Sequence, residues 1–297
     1  MRNFIKVLPF IVLFLVIGAC PQGPGFGPGG GKSITNVIEI NFLPSRPPSS
    51  IYENSQFYIA LEAKNFHDKQ KDVYVCVFDD FTDYFGGVPS ASCKVANLPP
   101  AQHFKEEIIP STEKLYFPDQ SGRYYYKNLE KDEDVKVTLR ARYEHTTKAT
   151  TTICLARDYD LGCEMVKTIT PENFDGPVKV MSIKKEIIPL GDNQITLRLE
   201  IDIKNAGNGK VISSSDVSSL EVSEPFIDVS VNLQGITNKF NCEPKYQGKI
   251  KMINNAITLK CSTDIKLDQD YIENPLIVNV RYGYEIEKVI NVKVLNK

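Results

Sequence analysis

Leu197-Arg198-Leu199-Glu200-Ile201-Asp202-Ile203-Lys204-Asn205 alternates apolar and charged residues up to its closing asparagine. Successive side chains of an extended chain point to opposite faces, so this stretch reads as a strand with one buried and one wetted face. The same period recurs upstream, where Val135, Val137, Leu139, Ala141 and Tyr143 alternate with Lys136, Thr138, Arg140 and Arg142. It recurs downstream, where Ile227, Val229, Val231 and Leu233 alternate with Asp228, Ser230 and Asn232. Gly, Pro, Asn and Asp punctuate these runs at short intervals. Asn254-Asn255, between Ile250–Ile253 and Ile257–Leu259, reads as the turn of a hairpin. No segment carries a helical amphipathic pattern. Many short strands with turn signals between them predict an all-β chain of sandwich type from residue 35 onward.

The opening stretch has a counterpart. Phe57-Tyr58-Ile59-Ala60-Leu61-Glu62-Ala63 also ends in Lys-Asn, at Lys64-Asn65, and both strands follow a polar turn. Downstream, Arg142-Tyr143 and Arg281-Tyr282 each close a strand and precede a final β segment. Asn65 to Tyr143 and Asn205 to Tyr282 are separated by 78 and 77 positions (143 − 65 and 282 − 205). This agreement predicts two copies of one unit, divided near Pro171–Pro177. The expected organisation is a signal peptide over 1–19, a Gly/Pro-rich tether over 20–34, a first β-sandwich over 35–173 and a second over 174–297.

Ile201-Asp202-Ile203-Lys204-Asn205-Ala206-Gly207-Asn208-Gly209 resembles the strand and turn of CARDB-type domains, in which an asparagine is followed by spaced glycines. The first copy departs from it, with Phe66-His67 in place of Ala-Gly. The resemblance implies two tandem immunoglobulin-like sandwiches. It also implies a role in adhesion, spacing or assembly at a prokaryotic, archaeal-type cell envelope.

The N-terminus bears on location. Met1-Arg2-Asn3-Phe4-Ile5-Lys6 supplies two cations, Val7 to Ile17 is apolar, and Gly18-Ala19 is a small-residue cleavage site. Ile17-Gly18-Ala19-Cys20 resembles the lipobox of prokaryotic lipoproteins, which implies that Cys20 is lipidated and becomes the mature N-terminus. The apolar run falls short of the roughly 20 residues of a membrane-spanning helix. The expected location is extracytoplasmic, lipid-anchored to the outer face of the cell membrane. Residues 21–31 are almost entirely Gly and Pro, with a reach of roughly 20 Å as a flexible chain. A G-x-G-x-x-G spacing at Gly25, Gly27 and Gly30 lies in this tract with no strand before it, so it is not a dinucleotide fingerprint.

The formal net charge is −2 over 297 residues and no basic run occurs, which argues against a nucleic-acid partner. Seven cysteines are present; with Cys20 assigned to lipid, six remain, an even number that points to disulfides in an oxidising compartment. Cys242 and Cys261 are alone in the second copy and pair there. Among the four in the first copy, Cys76–Cys93 and Cys154–Cys163 close local loops; the rival is Cys76–Cys154 across the sandwich.

His67, His103 and His145 are far apart and flanked by polar residues, so each reads as a solvated or hydrogen-bonded side chain. No G-x-S-x-G or H-E-x-x-H occurs, and no free thiol is expected. Asp268-x-Asp270-x-x-Glu273 and Asp79-Asp80-x-x-Asp83 gather carboxylates but lack the glycine and ligand ladder of a calcium loop. The chain is therefore read as non-enzymatic, with no cofactor and no metal. Tyr124-Tyr125-Tyr126 places Tyr125 on the face opposite its neighbours, and these rings are the candidate partner contact. The expected partners are the membrane, through the lipid, and another envelope or surface protein. The alternative is a surface-tethered ligand-binding protein that uses sandwich-end loops or the interface between its two copies.

Overall fold

A computed structural model describes residues 35–297 apart from positions 82, 90–91, 106, 120, 159–161, 222 and 247. The signal segment, Cys20 and the Gly/Pro tract lie outside the described residues. Strands make up most of the described residues. Its first part comprises β1 (Ile38–Phe42), β2 (Ser50–Tyr52), β3 (Ile59–Asn65), β4 (Lys71–Asp79), β5 (Ser92–Leu98), β6 (Gln102–Phe104), β7 (Glu107–Ile109), β8 (Ser111–Phe117) and β9 (Glu133–Ala156). The second part follows with β10 (Val166–Ile169), β11 (Glu172–Asn173), β12 (Val178–Gly191), β13 (Gln194–Asn205), β14 (Lys210–Ile212), β15 (Phe226–Leu233), β16 (Asn241–Glu243), β17 (Ile250–Lys251), β18 (Ala256–Lys266) and β19 (Tyr271–Leu295).

Three larger sheets result. One has the order β1-β3-β8 and a second β10-β12-β13-β18-β16; the third runs β17-β15-β19-β9-β4-β5. Alternation explains them. Leu197, Leu199, Ile201 and Ile203 of β13 are buried, and the charged residues between them are not. Ile59, Leu61 and Ala63 of β3 join Val73, Val75 and Val77 of β4 and Val135, Val137 and Leu139 of β9 in the hydrophobic core. The architecture is an all-β sandwich.

Tyr143 and Tyr282, expected near strand ends, instead lie in the interior of strands of 24 and 25 residues. β9 and β19 pair antiparallel from Glu133↔Val294 to Ala156↔Tyr271. This ribbon crosses the boundary expected at 173/174. The first half of β9 pairs on its other side with β4, and its second half with β11. β19 is flanked in turn by β15, β14 and, in parallel, β2.

The internal repeat has a structural basis. Asn65 Nδ2 donates to Lys69 O at 2.9 Å, and His67 N–H donates to Asn65 Oδ1 at 2.9 Å. Asn205 Nδ2 donates to Gly209 O at 2.8 Å, and Gly207 N–H donates to Asn205 Oδ1 at 3.0 Å. One buried amide thus closes the same five-residue turn in each half. A Cβ at Gly209 would lie 2.2 Å from Glu285 O, so only glycine lets this turn approach β19. Because Tyr143 pairs with Tyr284 and His145 with Tyr282, the two halves are related by an approximate two-fold axis through the Glu144↔Gly283 pair.

Two outcomes follow from this pairing. Asn65→Ala and Asn205→Ala should each cost about 1–3 kcal/mol in denaturant unfolding, since each strands buried backbone groups. Residues 174–297 alone lack the β9 edge that covers Tyr271–Arg281. That fragment should self-associate in sedimentation, or melt well below the full chain, through its bared strand.

Candidate functional site

Tyr124 and Tyr126 are buried, whereas Tyr125 is 46% exposed, as alternation demands. Tyr126 stacks on Phe57 at 5.2 Å and meets Phe81 edge-on at 5.7 Å. Its hydroxyl donates to Asp79 Oδ2 at 3.0 Å. Asp79 also accepts the N–H groups of Phe81 and Val88. Burial raises the Asp79 pKa despite these donors, and burial with the adjacent carboxylate pushes the Tyr126 phenol well up. Gly87, at φ +82°, completes the corner: a Cβ there would lie 2.3 Å from Asp79 Oδ2 and 2.5 Å from the Tyr126 ring. This pair of a buried phenol and a half-buried carboxylate holds the loops in place.

Those loops present tyrosines to solvent. Tyr84 is 67% exposed and Tyr52 54% exposed. Gly87 N–H donates to Tyr125 O, Asn128 Nδ2 to Tyr84 O, and Asn54 N–H to Tyr126 O. Three exposed tyrosines therefore sit on neighbouring, mutually hydrogen-bonded segments. They lie at the end of the first half remote from Asn65. Of the candidate contact Tyr124–Tyr126, only Tyr125 faces solvent; Tyr52 and Tyr84 carry no local signal that sets them apart from core aromatics.

The histidines are hydrogen-bonded or exposed, as the sequence reads them, but His145 lies in a strand interior and not at an exposed strand end. His145 is not solvated but buried within β9, where Nε2–H donates to Asp175 O at 2.8 Å. His67 and His145, far apart in sequence, meet edge-on at 5.0 Å. Gly176, at φ +139°, lets the 174–177 segment press against this pair, since a Cβ there would lie 2.8 Å from His145 Nε2. His67 Nδ1 lies 3.1 Å from the Lys69 N–H and 3.0 Å from Asp68 Oδ1, and burial holds its pKa below the usual imidazole value. His103 is exposed on β6.

At the centre of the ribbon Arg142 lies opposite Glu285, both buried, with Nε to Oε2 at 2.7 Å. The guanidinium also donates to the carbonyls of Ser219, Asp216 and Glu221. This network joins a strand of the first half to a loop of the second. Four protein acceptors surround the guanidinium, and the network acts as a structural tie.

Disulfides join Cys76 to Cys93, Cys154 to Cys163 and Cys242 to Cys261. The first and third bridge directly opposed strand residues. Asp270, in one carboxylate loop, is held by Arg157 at 2.5 Å. Among the described residues, no His/Cys/Asp/Glu group is arranged to hold a metal ion. A cleft of about 160 Å³ lies beside Tyr143 and Tyr284 at the middle of the ribbon. A shallow cleft of about 440 Å³ lies on the charged outer face of β12, β13, β16 and β18. No family model and no curated protein matches the chain.

Burial, reinforced by the nearby Lys71, pushes the His145 pKa down to about 3. His67 and Lys179 add to this, while the bond to Asp175 O opposes it. The folded value lies below the unfolded one near 6.5, so unfolding takes up a proton anywhere between them. Stability should fall as pH drops from about 6.5 towards 3 and be insensitive to this group above pH 7. Melting temperatures of the parent and His145→Gln across pH 4–8 check this: the variant should show a flatter profile through the acid limb.

Proposed function

We propose that the protein is a lipid-anchored, extracytoplasmic envelope protein that binds another surface protein through the tyrosine-bearing end of its first half. The observation that carries this is the trio Tyr52, Tyr84 and Tyr125, exposed on loops braced by Asp79, Tyr126 and Gly87. Exposed tyrosines on a rigid base offer large contact area at low ordering cost, as interface anchors do. Three disulfides fit a non-cytoplasmic compartment. No helix among the described residues is long and apolar enough to cross a membrane. The lipobox-like site at Cys20 is then the means of attachment. The CARDB-like repeat fits an adhesive or spacing role.

The ligand-binding alternative is less well supported. The cleft at the middle of the ribbon is about 160 Å³, below the ~300 Å³ usual for small-molecule sites, and the larger one of about 440 Å³ is lined mainly by charged side chains such as Lys184, Glu186, Arg198 and Lys260, not by the apolar groups such sites present. The reading adopted here needs no catalytic constellation and no cofactor.

Tyr84→Ala and Tyr125→Ala should leave unfolding free energy within about 0.5 kcal/mol of the parent and reduce recovery of the partner from detergent-solubilised envelope. Tyr126→Ala should cost about 3–5 kcal/mol as a large-to-small core change. Unchanged recovery with both exposed tyrosines removed contradicts the assignment of the face. For the anchor, Cys20→Ser should move the protein from the membrane to the soluble fraction, and the native protein should show an acyl adduct at Cys20 by intact mass.

A further inference from the structure

The edge of the second half carries a patch that the proposed function does not use. Phe226, at the start of β15, and Tyr246, in the turn before β17, stack with ring planes 17° apart and centroids 6.4 Å apart. The Lys251 ammonium lies 6.0 Å from the Phe226 centroid and 5.7 Å from that of Tyr246, and the Lys249 ammonium 5.5 Å from Phe226. Tyr246 is 57% exposed, and Lys245 and Lys249 are exposed beside it. The base is firm. Tyr246 and Lys249 exchange backbone hydrogen bonds at 2.6 and 2.9 Å, and Phe226 pairs with Lys251 in the sheet. The Cys242–Cys261 bridge ties the segment just before it. Glu224 neutralises Lys251 at 2.5 Å.

The geometry points to a binding site for an acidic polysaccharide, one uronic-acid ring on the open flank of Tyr246 with its carboxylate on the lysines. A flat aromatic face beside water takes up the C–H face of a sugar ring, and the Lys249 ammonium over the adjoining Phe226 ring meets its carboxylate. An acidic peptide offers the carboxylate without the flat apolar face, and so does the phosphate of a lipid headgroup. The chain as a whole is slightly acidic, with net charge −2, so its overall field does not draw polyanions. Recognition therefore rests on this local cluster. The site is independent of the lipid anchor and of the tyrosine-bearing loops.

The test uses the full chain in detergent, with polygalacturonate as probe and polyglutamate, amylose and glycerophosphoglycerol as comparisons. Polygalacturonate should bind at least about tenfold tighter than polyglutamate at equal carboxylate concentration, with affinity falling as salt rises. Amylose and glycerophosphoglycerol should not bind measurably. Tyr246→Ala, at an exposed position, should keep the parental melting temperature and abolish the preference for polygalacturonate over polyglutamate. Lys249→Ala should weaken both polymers without changing stability. Absence of polygalacturonate binding, equal affinity for the two polymers, or a preference that survives Tyr246→Ala overturns the proposal. Binding of glycerophosphoglycerol in place of polygalacturonate overturns it too.

Discussion

The pairing of β9 with β19 is the constraint on which the rest depends. All 24 residues of β9 keep one register with β19, without a bulge. Each long strand is covered on its other side by strands from both parts of the chain. These pairings shorten the free edge of each, the usual liability of an all-β protein. A buried Arg–Glu pair at the centre would be costly by itself, because two charges leave water. Here three backbone carbonyls from the 216–221 loop complete the coordination of Arg142. The cost is offset only when the second half docks its loop on a strand of the first, so the pair sets how the halves meet.

Much of this was legible from period-two alternation, but the continuity of the ribbon was not. Between Tyr143 and Ile153 the buried row is His145, Thr147 and Ala149, residue types that do not read as core. Thr147 satisfies its hydroxyl against Tyr282 at 3.0 Å, and His145 its ring against Asp175 O. Polar side chains with internal partners can continue a buried row that a hydrophobicity pattern drops. In β19, Pro275 and Gly283 read as breakers. Pro275 is exposed, and Gly283 sits where a Cβ would meet Ser213 O at 2.7 Å. Both residues suit their places in the strand for local reasons that a linear reading cannot supply.

The candidate sites were legible to different degrees. The alternation of Tyr124–Tyr126 gave away which ring faces water, since only local geometry is needed. Tyr52 and Tyr84 reach the same end of the sandwich through hydrogen bonds between segments that are distant in sequence. The Phe226–Tyr246 platform likewise combines the start of one strand with a turn 20 residues later (246 − 226). Surface clusters of this kind carry no period, because solvent imposes none. The repeat asparagines were the opposite case. One amide must satisfy one turn twice, and that chemical need left the same residue at matching positions.

The ribbon makes the two halves one cooperative structure. Hydrogen exchange on the full chain tests this most directly, read strand by strand in increasing denaturant. Amides in 145–156 and 271–281 should open together with those in 133–143 and 283–294, with a single exchange free energy along both strands. Two separate openings, with the second-half segments exchanging while the first-half segments stay protected, would contradict it.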